Sequence, residues 1–291
     1  MVGAIAGDVL GSPYERRSTK QKDAELFRDD ARFTDDTVMT LAIARAILQA
    51  DERPPGSEDY AREMRLIGRR YPHAGYRGTF SRWLHDVAMG PYNSWGNGAA
   101  MRVGAVGWAF DSERDVLEHA ERTAAPTHNH PEGIKGAQAT ALAVFLARRG
   151  AGVNEIRRAL ERRFGYDLAR TVEEIRPGYR FDVSCQGSVP EAIICFLESS
   201  GVEDAIRNAI SLGGDADTQA CIAGAVAEAH YGGVPERLAD FVLHRLDDEL
   251  FRIVVAFSSR YLPEDTAARV RREAVSRGID QMTEESVKMY R

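Results

Sequence analysis

Apolar residues recur through most of the chain at three- and four-residue intervals, the repeat of a helix with one buried face. Strict alternation, the mark of half-buried strands, is scarce. The pattern predicts helices over Val38 to Leu48, Glu58 to Arg70, Ala99 to Phe110, 113–123 and 133–149. Further helices are predicted over 153–163, 189–199, 202–212, Ala220 to Tyr231, 236–247 and 265–277. Loops are expected at 51–57, Tyr71 to Gly78, Gly90 to Asn97 and Thr127 to Pro131, with 164–188 the least regular stretch. There is no internal repeat and no linker long enough to divide the chain. The expectation is an all-α fold in one compact domain, residues 1–291.

Gly3, Gly7 and Gly11 recur every four residues in the opening helical segment and share one smooth face. Glycine lowers helix stability, so three on one face mark a close approach, either by a second helix or by a ligand.

Composition narrows the class. A hydrophobic fraction of 44% supplies a core and excludes disorder. A net charge of −6, from 38 basic and 44 acidic residues, argues against a dedicated nucleic-acid surface. The pairs Arg69-Arg70, Arg148-Arg149 and Arg157-Arg158 read as solvated helix faces. Cys185, Cys195 and Cys221 have apolar neighbours and no metal-ligand spacing, so reduced, buried thiols are expected. No apolar run reaches membrane-spanning length, and Asp8 with no basic n-region argues against a signal peptide. The expectation is a cytoplasmic, monomeric protein.

Two acidic clusters, about 180 residues apart, carry the chemistry. Thr34-Asp35-Asp36-Thr37 and Gly213-Gly214-Asp215-Ala216-Asp217-Thr218 each precede a long Ala-rich apolar segment. Core-type helices that begin with acids bring those acids together where the helices converge. Neighbouring carboxylates in a dry interior cannot all ionise without a compensating cation. Oxygen donors of this kind suit Mg²⁺, Mn²⁺ or Ca²⁺ rather than zinc, and their number suggests a binuclear site. The competing reading is helix capping, which one Asp or Thr satisfies and which leaves the further acids unexplained.

Three loops could contact a ligand. Glu15 follows the turn Gly11-Ser12-Pro13-Tyr14, as a cleft carboxylate or a plain surface acid. Asn93 to Arg102 combines two glycines, free backbone amides and a helix start, suited to an anion or to an ordinary turn. His128 and His130 stand two apart without a third zinc ligand nearby, which favours substrate contact or a structural hydrogen bond over a metal site.

These residues resemble the ADP-ribosylglycohydrolase family, which includes dinitrogenase reductase-activating glycohydrolases and the arginine and serine ADP-ribosylhydrolases. Four blocks match in order: Gly7-Asp8-Val9-Leu10-Gly11 with Glu15, Thr34 to Thr37, Gly96 to Arg102, and Gly213 to Thr218. The resemblance implies an orthogonal helical bundle with a binuclear cleft holding two Mg²⁺ or Mn²⁺ ions. Thr34, Asp35, Asp36, Asp215, Asp217 and Thr218 would be the ligands. Glu15 and Asp36 would be catalytic, and Gly75, Ser94, Trp95, Gly96, Asn97, Gly98, Met101 and His128 would bind substrate. The implied reaction is hydrolysis of the bond between the distal ribose of ADP-ribose and a protein side chain, so the implied partner is ADP-ribose or an ADP-ribosylated protein. A non-catalytic ADP-ribose-binding protein on the same fold is the alternative of another class.

The segments 11–15, 93–98 and 187–193 are similar to the serine branch, whereas Thr127 to Pro131 is more like the arginine-linked branch. That second branch carries an acid in the loop corresponding to Tyr71 to Gly78, and here the loop has none and carries Arg77. A guanidinium-linked substrate calls for a nearby carboxylate. The sequence therefore favours O-linked ADP-ribose, on serine or as an ester or polymer, with arginine-linked ADP-ribose as the alternative.

Overall fold

The computed structural model describes residues 1–50 and 53–279. The two acids opening the expected loop at 51–57, and residues 280–291, lie outside the described residues. The helices are α1 (Val2–Gly11, followed by a 3₁₀ turn, Ser12–Tyr14), α2 (Asp35–Leu48), α3 (Ser57–Gly68), α4 (Gly78–His85), α5 (Gly98–Met101), α6 (Gly104–Ala109), α7 (Glu113–Ala124) and α8 (Pro131–Arg148). They continue as α9 (Val153–Phe164), α10 (Val172–Ile175), α11 (Cys185–Leu197), α12 (Val202–Ser211), α13 (Ala216–Tyr231), α14 (Glu236–Leu243), α15 (Asp248–Tyr261) and α16 (Glu264–Ser276). Among the described residues the one β feature is an isolated bridge between Gly96 and Ser184.

Helix α13 is the spine. Every residue from Ala216 to Ala229 is buried: a small, apolar run from Ala220 to Ala227, with Asp217, Thr218 and Gln219 before it and Glu228 after it. It packs on α1, α12, α11 and α8. The glycine face of α1 lies directly on it. A Cβ built on Gly7 would sit 1.9 Å from the Ala220 carbonyl oxygen, and one on Gly3 2.2 Å from that of Gly224. One on Gly11 would sit 2.6 Å from Asp217 Cα. All three glycines serve a helix–helix contact, and that closeness brings Asp8 to the start of α13. Glu228 of α13 accepts the Val2 and Gly3 amides at 3.2 and 2.9 Å, capping α1 from its neighbour.

Several elements differ from the periodicity. The helix expected over Ala99 to Phe110 is broken into α5 and α6 by Arg102 and Val103, whose ψ angles near −8° leave the helical ladder. The break lays α6 on α8, where a Cβ on Gly107 would meet Val144 Cβ at 2.6 Å. The helix expected over 236–247 ends at Leu243, and α15, absent from the predicted set, begins after Asp247, whose carboxylate accepts the Leu250 amide at 3.0 Å. α4 and α10 are also additions, too short to show a period.

The basic run from Arg269 to Arg277 belongs largely to α16, a packed helix that buries Thr266, Ala267, Val270 and Ala274 and rests on α15. Arg277 sits with its guanidinium 4.1 Å from the Phe251 ring centre. The three cysteines are buried and free. Among the described residues, no helix is long and apolar enough to cross a membrane.

Candidate active site

The site forms where the N-termini of α2 and α13 converge. Both helices begin earlier than their apolar pattern, at the acids themselves. Thr34 caps α2, its hydroxyl accepting the Asp36 amide at 3.3 Å, which leaves Asp35 and Asp36 without a capping duty. At α13, Asp215 occupies the cap position and makes no capping bond with its side chain. It accepts instead from Asn97 Nδ2 at 2.7 Å, across 118 residues of sequence. Thr218 joins the two clusters, its hydroxyl donating to Asp36 Oδ2 at 3.1 Å. Capping thus accounts for little of this acidity.

A further acid stands among them. Asp8, fully buried on α1, accepts from the Thr34 amide (2.9 Å), the Thr34 hydroxyl (2.6 Å), the Thr37 amide (3.0 Å) and the Thr37 hydroxyl. Carboxylate oxygens of Asp8, Asp36 and Asp217 lie within 4.8 Å of one another. Asp8 was not among the predicted site residues. Its signal was present: an acid inside an apolar, glycine-faced helix has to find partners.

Burial drives the electrostatics. It lifts Asp35 to about 7, with the Asp8 charge adding to the effect. It lifts Asp215 to about 6, against the Asn97 hydrogen bond, which lowers it. Asp36 and Asp217 are held well above the ordinary range by burial, then by a neighbouring carboxylate, Asp217 for the first and Asp215 for the second. Asp36 Oδ1 is buried without a hydrogen-bond partner. A buried carboxylate oxygen left unpaired beside other acids calls for a cation, and an all-oxygen set fits a hard divalent one.

These acids form the floor of a cavity of about 880 Å³. Every residue expected at the site lines it: Glu15, Thr34, Asp35, Asp36, Gly75, the Ser94 to Gly98 loop, Met101, His128, Asp215, Asp217 and Thr218. Gly75 adopts φ +111°, a conformation that favours glycine, and a Cβ there would stand 3.2 Å from Asp35 Oδ1. Trp95, about half exposed, stands at the rim edge-on to His130. His130 is structural, its Nδ1 accepting the Glu132 amide at 3.1 Å to cap α8. His128 is buried and lines the cavity.

The loop supplies fewer free amides than its sequence suggested. Ser94 N donates to the Thr127 carbonyl (3.3 Å), Gly96 N to Ser94 Oγ (3.1 Å) and Asn97 N to the Val183 carbonyl (2.8 Å). These bonds shape the loop, and its glycines clear space for His128: a Cβ on Gly98 would lie 3.1 Å from His128 Nε2.

One cation reaches over the acids. Arg77 Nη2 lies 3.7 Å from Glu15 Oε1 and 3.8 Å from Asp215 Oδ1, with its guanidinium 5.3 Å from the Phe181 ring centre. Arg77 stands out in the sequence only as a charge of the wrong sign for that loop, and the structure places it at the cavity mouth.

The comparisons agree with this geometry. Residues 1–269 match the sequence model of a family described as ADP-ribosylglycohydrolase. The ADP-ribosylhydrolase ARH3 of Homo sapiens is 30% identical over 311 aligned positions, spanning 81% of this chain and 86% of that protein. The Mus musculus ARH3 is 29% identical over 313 positions, spanning 81% and 84%. A solved chain from an ADP-ribosylglycohydrolase-related protein complex superposes with a TM-score of 0.64 at 26% identity, covering 93% of this chain and 96% of that one. With its helical bundle, its converging acid clusters and a family match that runs nearly the length of the chain, the protein belongs to the ADP-ribosylglycohydrolase family.

Proposed function

We propose that this hydrolase releases ADP-ribose from an oxygen of a protein side chain, serine first, using two Mg²⁺ or Mn²⁺ ions. Arg77 is the observation that carries the linkage. Its guanidinium stands beside Glu15 and Asp215 at the mouth, so a substrate guanidinium there would meet a like charge and two carboxylates that Arg77 already approaches. A neutral seryl oxygen meets no such repulsion.

Thr34, Asp35, Asp36, Asp215, Asp217 and Thr218 would hold the ions, with Asp8 fixing Thr34 from behind. When bound, the ions neutralise the acid cluster, orient the distal ribose hydroxyls and polarise water. The reaction replaces the bond from the anomeric carbon to the side-chain oxygen with a bond to the oxygen of water, through an oxocarbenium-like transition state. Glu15, partly exposed on the turn after α1, takes the proton from the attacking water and passes it to the leaving oxygen. The Ser94 to Gly98 loop and His128 line the cavity where the rest of ADP-ribose would lie. Asn97 couples this loop to the acids through its bond to Asp215.

The test is release of ADP-ribose from matched serine-linked and arginine-linked peptides. Release from the serine peptide alone supports the reading, and release from the arginine peptide alone replaces it with the guanidinium-linked alternative.

A further inference from the structure

Behind the ligand loop lies an arrangement that the reaction as described does not use. Arg102 is fully buried, and no carboxylate pairs with it among the described residues. Its Nη2 donates to the Thr123 carbonyl at 2.7 Å and to Thr127 Oγ1 at 2.9 Å, while Phe80 stacks 5.9 Å from its charge. Thr127 Oγ1 lies in turn 2.7 Å from His128 Nδ1. Burying a cation without a counter-ion is costly, and here the guanidinium is held by a carbonyl and a hydroxyl instead.

We infer that Arg102 and Thr127 are positioning residues that hold His128 in its Nε2–H tautomer, so that it offers one fixed donor to a ligand oxygen at the Gly96–Gly98 loop. The argument is a count of protons. A guanidinium only donates, so Thr127 Oγ1 must accept from Arg102. The Thr127 hydroxyl proton then needs an acceptor, and His128 Nδ1 is the partner within reach. A proton on Nδ1 instead would leave two hydrogens facing each other or strand the hydroxyl hydrogen in a site where Thr127 is fully buried. The imidazole hydrogen therefore sits on Nε2.

Nε2 faces the loop: a Cβ on Gly98 would come within 3.1 Å of it and one on Gly96 within 3.6 Å. Among the described residues no group accepts its hydrogen, and His128 lines the cavity. A donor held this way suits an oxygen of a ribose or a diphosphate, and would repel a donor such as an ammonium. Burial, and then the Arg102 charge, push the imidazole well below its ordinary pKa, which keeps the ring neutral and the tautomer meaningful. The identity of the ligand oxygen rests on the function proposed above, whereas the tautomer does not.

The test has two readouts. Two-bond ¹H–¹⁵N correlation of histidine-labelled protein at neutral pH reports which nitrogen carries the proton, with the His128 signal identified by its loss in His128→Gln. The expected signal is Nε2–H in the native protein and in Thr127→Ser, and a mixture or Nδ1–H in the nearly isosteric Thr127→Val. ADP-ribose affinity by calorimetry should fall about tenfold in Thr127→Val and stay within about twofold in Thr127→Ser, the scale of one hydrogen bond to an anionic or hydroxyl oxygen. An Nδ1–H or imidazolium signal in the native protein overturns the inference, as does a folded Thr127→Val with native tautomer and affinity. An Nε2–H signal in a protein that binds no ADP-ribose would support the positioning while removing the ligand reading of the site.

Discussion

Asp8 grips Thr34 at two points: the Thr34 hydroxyl donates to Oδ1 at 2.6 Å and the Thr34 amide to Oδ2 at 2.9 Å. One acid on α1 thereby fixes the residue that caps α2 and introduces the first acidic cluster. Every partner of Asp8 in this set is a donor, so an amide in its place would turn an NH₂ group toward hydrogens. Asp8→Asn is expected to lower unfolding free energy by about 2–4 kcal/mol in urea titrations, the scale for breaking a buried charge-assisted network. It should also weaken magnesium binding. Native stability in the variant would show that Asp8 does not organise the site.

The buried acids give the metal-free protein an unusual pH dependence. Asp35 at about 7 and Asp215 at about 6 both lie above the unfolded value of about 3.9. Below the unfolded value both states hold the protons, and these groups cost nothing. As pH rises, the unfolded chain ionises first and stability is lost until the folded values are passed. Chelator-treated protein should therefore show a lower urea midpoint at pH 7.5 than at pH 5. Magnesium should restore the midpoint more strongly at pH 7.5. A metal-free midpoint that rises across this interval would contradict the electrostatic account.

Glu15 lines the same cavity as the acids but is not a member of the Asp8–Asp36–Asp217 cluster. Glu15→Gln keeps its size and removes its proton acceptor. Turnover of a serine-linked peptide should fall about 10²-fold or more, with ADP-ribose affinity by calorimetry changed by less than about threefold. Loss of binding in parallel with turnover would reassign Glu15 to ligand or metal support.

Arg77 places a cation beside Glu15 and Asp215 at the mouth. Arg77→Glu replaces a cation with the carboxylate that a guanidinium substrate requires. The ratio of kcat/KM for arginine-linked to serine-linked peptide should rise at least about tenfold, equal to about 1.4 kcal/mol of discrimination. An unchanged ratio would remove Arg77 as the determinant of linkage.

Much of the site was legible in the sequence because its chemistry is clustered. Thr34 to Asp36 and Asp215 to Thr218 are contiguous, and acids in excess of what a cap requires announce themselves. Asp8 signalled that it needed partners, but which ones depends on α1 lying against α13, a contact that the Gly3–Gly7–Gly11 face implied without naming its partner. Arg102 and Thr127 were hidden for a related reason, since a hydrogen-bond chain across 25 residues leaves no spacing to read. In the fold, strongly periodic helices were found to within a few residues. The failures were the short helices α4 and α10 and two junctions: Arg102 and Val103 split one apolar run through backbone geometry, and the short connection from Leu243 to Asp247 concealed the start of α15.

The central claim is that the converging acids hold the divalent ions on which hydrolysis depends. The most direct measurement titrates magnesium into chelator-stripped protein by calorimetry and follows release of ADP-ribose from a serine-linked peptide in the same samples, for the native chain and for Asp36→Asn and Asp217→Asn. The account predicts saturable binding of two ions by the native protein, activity that appears with binding, and loss of both in the folded variants. Undiminished release in the presence of chelator, or variants that keep native turnover, would contradict it.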